Sequence, residues 1–369
     1  MSFHENSPLQ LGLVLEQSLG HTTHAQNLKR ALENRSDIRP SYVDLPYHNM
    51  PGAWARLPGI RSNWSLRASL GAYLALRPQA RALQAVLFHT QVTSLFSAGL
   101  MRRVPSVISL DATPLQFDAM GEFYGHSPSS NTRLEAIKKR LNIRAFTAAQ
   151  HLVTWSQWAK DSLVTDYGMP ADKITVIPPG IDMREWGFER DKARSDQPLH
   201  LLFVGGDFVR KGGNVLLEAF RRLPPSVNAI LHLVTNAPEA PEGRPNICVY
   251  RNVKPNSSQM LQLYRQAEIF VFPTYADCLG LVVLEAMAAG LPVISTTVGA
   301  LPEAIVHGET GWNVPTGDPD ALANAIAALA ADPALRAQMG RRGREAAMER
   351  FDATTNFRRL VDVVKNVAH

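Results

Sequence analysis

The chain has 369 residues, 45% of them hydrophobic and 19% charged, with a formal net charge of +5. That length exceeds one ordinary core and suits two domains, and the composition excludes a disordered chain. The two cysteines, Cys248 and Cys278, have no metal-type spacing, which argues against a disulfide framework.

The opening stretch MSFHENSPLQ is polar, and the first apolar run after it is too short for a secretory leader or a membrane span. The compartment therefore reads as cytoplasmic. Charge is unevenly spread: no acidic residue lies between Asp44 and Asp111, while Arg56, Arg61, Arg67, Arg77, Arg81, Arg102 and Arg103 are interleaved with Trp54, Trp64 and Tyr73. One reading of residues 54–103 is a surface for an anionic partner: the inner face of a membrane, a lipid-linked acceptor or a phosphorylated glycan. The other is an arginine-rich solvated helix face. No nucleic-acid-binding motif accompanies the charge, so no nucleic-acid partner is expected.

Short apolar runs alternate with helical stretches, which predicts parallel sheets covered by helices on both faces. In chain order, LQLGLVLE reads as a buried strand, THAQNLKRALEN as a helix, and LQAVLFH, PSVISLD and HLVTWS as strands, the last followed by the helix QWAKDSLVTDYG. The stretch KITVIPPGIDMREWGFERDKARSDQP is rich in proline, glycine and charge and reads as a connector, with the linker in 178–198. The alternation then restarts. LHLLFVGG, AILHLVTN, NICVYRNV, IFVFPT and PVISTTV are strands; GGNVLLEAFRRL, SSQMLQLYRQA and LVVLEAMAAG are helices. A long alanine-rich helix breaks near Asp332-Pro333, and TTNFRRLVDVVKNV closes the chain. The expected architecture is two Rossmann-like doubly wound α/β domains facing across a cleft, residues 1–178 and 179–351, with the helix in 352–369 packing back on the first.

The segment PTYADCLGLVVLEAMAAGLPVI carries the strongest chemical pattern. Gly280 permits close backbone approach, and the helix starting near Leu281 offers free N–H groups through Val283 to an anion such as a diphosphate. Glu285, one turn in, can accept two ribose hydroxyls, and Asp277 before the helix can hold sugar hydroxyls. Eight positions separate these two acids. The segment resembles the acidic-x7-acidic signature of the retaining glycosyltransferases of family 4. FVGGDFVRKGGNVLLEAF, VIPPGIDMREW and GALPEAIVHGETGWNVPTGDPDALANAI resemble the same family around it, nearly continuously over 153–351. LEQSLGHTTHAQNLKRAL is similar to its first glycine-containing loop.

The resemblance implies a GT-B fold, transfer of a sugar from a nucleotide-sugar donor to an acceptor hydroxyl with retention, and no cofactor or metal. It implies that Lys211 neutralises the donor diphosphate, Glu285 binds the ribose, Asp277 holds the transferred sugar, and the amides of Leu281 and Val282 take the phosphates. Gly20 would let the first loop approach the pyrophosphate, and Asn252 and Val253 fall where the base is read through backbone. The family's usual Glu is Asp277, its aromatic before the glycine is Leu279, its loop Arg is Gly206 and its His is Leu110. Arg210 is then the candidate to supply the charge missing at Gly206, and Asp111 the polar group near the anomeric centre.

Rival readings stand beside these. Asp277 alone is a plausible helix N-cap, Lys211 a solvated turn, and Asp111 a turn cap before Pro114. His21 and His89 are acceptor-side candidates, though a lone His is more often a satisfied core or surface residue; Trp155 and Trp158 read as packing. For the whole chain the alternatives are a non-catalytic nucleotide-sugar- or glycan-binding protein of the same fold, or an epimerase.

Overall fold

Strands buried on both faces require helices on both sides of the sheet, and each half of the chain meets that requirement separately. The structure is a computed structural model that describes residues 7–18, 20–33, 35–47, 50, 52, 60–61, 63–125, 131–188 and 197–368. Trp54, Arg56 and residues 189–196 of the expected linker lie outside the described residues. The chain divides into two units: Met1–Gly121, His126–Gly180 and Ala353–His369 form the first, Glu122–Gly125 and Ile181–Asp352 the second.

The first unit contains β1 (Leu9–Gln17), α1 (His21–Leu32), β2 (Ile38–Pro46), α2 (Trp64–Leu76), β3 (Ala85–His89), α3 (Ala98–Met101), β4 (Ser106–Leu110), α4 (Pro114–Ala119), α5 (Thr132–Ala148), β5 (His151–Thr154), α6 (Gln157–Thr165) and β6 (Ile174–Val176). Its six strands are all parallel, in the order β2-β1-β3-β4-β5-β6. The second unit contains α7 (Met183–Trp186), β7 (Leu199–Val204), α8 (Gly213–Arg221), β8 (Ala229–Val234), β9 (Ile247–Tyr250), α9 (Ser258–Gln266), β10 (Ile269–Phe272), α10 (Leu281–Ala288), β11 (Val293–Ser295), α11 (Leu301–Ala304), β12 (Gly311–Asn313), α12 (Pro319–Ala331) and α13 (Pro333–Arg350). Its sheet is also parallel throughout, ordered β12-β11-β10-β7-β8-β9. The final helix, α14 (Ala353–Ala368), lays Phe357, Leu360, Val361 and Val364 on the first unit's sheet beside Leu13, Leu87 and Val153. Lys365 of α14 pairs with Asp37, just before β2.

Two strands differ from the sequence expectation. β2, IRPSYVDLP, carries a proline and exposed polar positions, so it does not read as a buried strand; it is an edge strand, where a missing N–H is tolerated. β6 lies inside the stretch read as connector, as a three-residue edge strand paired with β5. Among the described residues, no helix is long and apolar enough to cross a membrane.

The described arginines of 54–103 fall toward the two ends of α2. α2 runs antiparallel to the strands between β2 and β3, and its thirteen residues span about 20 Å. Arg61 and Arg67 therefore sit by the carboxyl end of β2, where Arg67 donates to the Tyr47 and Arg61 carbonyls and stacks on Trp64. Arg77, Arg81, Arg102 and Arg103 are exposed in turns that feed the amino ends of β3 and β4.

In the second unit α13 crosses α10 at a glycine. A Cβ on Gly340 would stand 2.1 Å from the Gly290 carbonyl oxygen. Alanine ordinarily favours a helix over glycine by about 1 kcal/mol, but here overpacking of about 1–3 kcal/mol opposes it. Gly340→Ala is expected to lower the midpoint of chemical denaturation; a raised midpoint would show that the crossing gives way freely.

Candidate functional site

In the second sheet the chain order reverses between β7 and β10, so the loops leaving their carboxyl ends diverge and open a crevice. The loop after β7 ends at Gly212, whose φ of +78° and close approach to the chain after β10 both require glycine: a Cβ would stand 2.0 Å from the Pro273 carbonyl oxygen. Lys211 is thereby delivered to the tip of β10, where its ammonium pairs with Asp277 and lies 5.0 Å from the centre of the Phe272 ring. Burial pushes the Lys211 pKa down, and the adjoining carboxylate offsets part of that shift. Lys211 is thus not a solvated turn residue.

Asp277 is not the helix cap either. The N-cap of α10 is Gly280, at φ +71°, with no side chain to offer. The loop before it is held from the β7 side: the Tyr275 N–H and Thr274 hydroxyl donate to the Arg210 carbonyl at 2.9 and 3.1 Å. The Arg210 guanidinium donates to the Ala276 carbonyl at 2.8 Å and to Asp207 at 3.0 Å. Its charge is spent bracing the two loops together. At Gly206 a side chain would meet nothing within 4 Å.

The first amides of α10 lack intrahelical acceptors, as at any helix start. Of the three expected to be free, that of Val283 is not: it donates to the Gly280 carbonyl at 2.9 Å, leaving those of Leu281 and Val282. Glu285 is one turn on and only 6% exposed. Its Oε2 accepts from the Tyr264 hydroxyl at 3.1 Å, and burial raises its pKa to about 8. Tyr264, on α9, was not singled out by sequence because it occupies an ordinary inward position of an amphipathic helix. Asn252 and Val253 follow β9, with Asn252 at φ +57° and its N–H donated to Asn236 Oδ1 at 2.6 Å.

The first sheet reverses between β1 and β3. Gly20 is the N-cap of α1, immediately after β1; its φ of −65° is ordinary helical backbone. His21 follows it. Its Nδ1 lies 3.2 Å from Nε2 of His89, which ends β3, and its Nε2 lies 3.6 Å from an Asp111 oxygen beyond β4. The structure thus joins these three candidates in one cluster. Asp111 does not cap α4, since Thr113 does; Asp111 instead accepts from the Ala112 N–H.

His24 and Trp155 complete the cluster, with their ring centres 4.6 Å apart. Burial lowers the pKa of His24 to about 3 and holds His89 well below the ordinary imidazole range. Sequence reading also missed Glu16, buried at the end of β1. It accepts from Ser18 Oγ at 2.5 Å, Trp64 Nε1 at 2.9 Å and Thr90 Oγ1 at 2.6 Å. That network ties the first loop to α2 and to the segment after β3. Its carboxylate lies within an apolar strand run, a signal that a polar partner set must exist.

A family model described as Glycosyltransferase Family 4 matches residues 20–185, and one described as Glycosyl transferases group 1 matches 198–332. The chain belongs to glycosyltransferase family 4. A curated relative is the D-inositol 3-phosphate glycosyltransferase of Pseudarthrobacter chlorophenolicus, 32% identical over 217 residues, which are 54% of this chain and 51% of the relative. The chain thus matches about half the length of that relative. Sucrose-phosphate synthase from Thermosynechococcus elongatus has a similar fold, with a TM-score of 0.75 at 18% identity over 97% of this chain and 99% of the other. So does Anabaena HepE, solved with UDP-glucose, with a TM-score of 0.69 at 17% identity over 97% and 100%. The fold of this family 4 chain is accordingly GT-B in type: two Rossmann-like units, each a six-stranded parallel sheet.

The buried imidazoles set an acid limit. His24 and His89 are neutral in the fold and regain ordinary basicity on unfolding, so unfolding takes up protons below about pH 6.5. The stability is complete above that pH and is lost progressively as the pH falls, for His24 down to about pH 3 at about 1.4 kcal/mol per unit, with His89 acting in the same direction. Denaturation midpoints should fall steeply from pH 6.5 to 5, and His24→Leu should flatten the slope by one proton. An unchanged slope in a folded variant would show that His24 is protonated in the native state.

Proposed function

We propose that the protein is a retaining glycosyltransferase that moves a sugar from a nucleotide-sugar donor to a hydroxyl of a glycan or lipid-linked glycan. The observation that carries this reading is the convergence, at the β7/β10 reversal, of Lys211, Asp277, two acceptor-less amides of α10 and Glu285. One elongated anion matches that set. Lys211 and the amides of Leu281 and Val282 take the diphosphate, Glu285 the ribose, and Asp277 the hydroxyls of the transferred sugar; Val253 lies where the base would meet backbone. Without ligand, Lys211 and Asp277 neutralise each other, and a donor replaces that pair with its own phosphates and hydroxyls.

In the reaction the bond from the anomeric carbon to the donor phosphate breaks and the bond to the acceptor oxygen forms on the same face. The acceptor proton passes to the departing phosphate oxygen. The protein orients the reactants and stabilises charge on the leaving diphosphate, which Lys211 is placed to do. Asp111, His21 and His89 form the polar cluster of the first unit, and the acceptor is assigned to that unit. Arg61 and Arg67, by the carboxyl end of β2 in the same unit, favour an anionic acceptor. The exposed arginines at the other end of α2 and α3 favour contact with an anionic membrane on the cytoplasmic side.

Thermal-shift titration with UDP-, GDP- and ADP-sugars tests the reading. One nucleotide class should stabilise the protein, with or without EDTA, and Glu285→Ala should abolish the shift. Lys211→Ala should lower kcat/KM by about 10²–10³ with the fold intact. Donor binding with neither transfer nor hydrolysis would assign a nucleotide-sugar-binding protein instead.

Space at Gly206 supports a second test. Gly206→Arg should tighten donor binding by about tenfold, the scale of one added charge-assisted contact near 1.4 kcal/mol. Unchanged affinity would mean that the diphosphate does not pass that corner of the loop.

A further inference from the structure

Tyr264 has one proton and two acceptors. Its hydroxyl lies 3.1 Å from Glu285 Oε2 and 3.3 Å from the Val282 carbonyl oxygen. If Glu285 were ionised, that single neutral O–H would have to serve a buried full charge and a buried carbonyl together. If Glu285 carries a proton, the chain closes: Glu285 O–H donates to the Tyr264 oxygen, and Tyr264 O–H donates to Val282. Both protons of that chain then have an acceptor, as buried polar groups require.

Among the described residues, no cation bonds to Glu285; burial and the Tyr264 hydroxyl act on its carboxyl. The elements packed most closely on α10 include α7, α9, α13, β10 and β11, and β10 and β11 carry no titratable side chain; Asp277, before the helix, pairs with Lys211. On α7, Arg184 pairs with Asp182 and Glu185 is exposed. On α9, Arg265 lies over the Phe188 ring. On α13, Arg344 donates to the Gly187 and Phe188 carbonyls, Arg336 to Glu268 and the Leu329 and Ala330 carbonyls, and Arg350 to the Glu303 carbonyl. The remaining charges of α13, Arg341, Arg342, Glu345 and Glu349, are exposed.

We propose that entry of a nucleotide ribose at this site expels one proton from Glu285, so that donor binding is proton-linked, with Tyr264 the positioning residue that turns its hydroxyl to the carboxylate once the proton has left. This rests on the donor-site reading given above. The two ribose hydroxyls donate to the carboxyl oxygens and supply the donors that the empty site lacks. The carboxyl O–H bond breaks, its proton goes to solvent, and the Tyr264 proton turns from Val282 to Glu285. No electrons change hands. The direction agrees with the pKa of Glu285, which burial raises to about 8.

The test is isothermal titration of UDP-, GDP- and ADP-glucose at pH 7 in phosphate and in Tris, whose ionisation heats differ. Nucleotide sugars are used because their esterified diphosphate has no titrating proton near neutrality. The sugar nucleotide that binds should release close to one proton, and its affinity should fall up to about tenfold per pH unit below pH 8. Glu285→Gln should bind more weakly with equal heats in both buffers. Tyr264→Phe removes a hydrogen bond that favours the ionised form, so its pH break should move upward.

Binding by the unmodified protein with no buffer dependence at pH 7 would overturn the proton linkage and leave the donor site standing. Absence of binding by all three nucleotide sugars would remove the donor site itself.

Discussion

The loops bearing Lys211 and Asp277 meet because the second sheet reverses its strand order between β7 and β10. In a parallel sheet all carboxyl ends lie on one edge, and only at a reversal do adjacent strands send their chains to opposite faces. The gap that results is floored by Phe272 and Pro273 and bordered by the start of α10. Gly212 then has to pass the Pro273 carbonyl at a distance no side chain allows, and this contact fixes the height at which Lys211 reaches Asp277. The charge pair, the two open amides and Glu285 owe their proximity to one topological fact, not to separate local preferences.

A second constraint is electrostatic. Lys211, Glu285, His24 and His89 are all ionisable, largely buried groups whose charged forms burial disfavours. A packed interior normally offers such groups a full set of partners. Glu16 shows the protein can do so, with three donors on one carboxylate. Glu285 has only a shared tyrosine proton, and one ring nitrogen each of His24 and His89 has no hydrogen-bond partner. The contrast separates a carboxylate that holds loops together from one whose remaining capacity is open to a ligand.

The second unit was the more legible in sequence, for a physical reason. Loops that meet through glycine close contacts, open helix-start amides and one buried cation leave little choice of residue, so the positions in RKGG and DCLGLVVLE stay readable as a pattern. Strand edges were less legible: β2 and β6 are an edge strand with proline and a three-residue edge strand, neither of which needs a continuous apolar run. Tyr264 was invisible because its partner is 21 positions away on another helix. Linear charge counting over 54–103 does not register that a helix antiparallel to the strands carries its two ends to opposite edges of the sheet.

The first unit's cluster differs in kind. It is built of imidazoles, an indole and one carboxylate, contributed by α1, β3, and the turns after β4 and β5. Such groups select by shape and by individual hydrogen bonds, not by charge, and each arrives from a different element. An Asp111 carboxylate 3.6 Å from His21, with His89 on the ring's other nitrogen, makes a directional chain whose polarity depends on which tautomer His21 adopts. If Nε2 carries the proton toward Asp111, Nδ1 of His21 accepts from His89; if Nδ1 carries it, His21 donates and His89 must accept. Burial keeps His89 neutral in either case, so the matched tautomers of the two rings set the hydrogen-bonding character of the cluster. A partner entering beside it therefore meets a site whose donor and acceptor pattern is governed by that pair of rings.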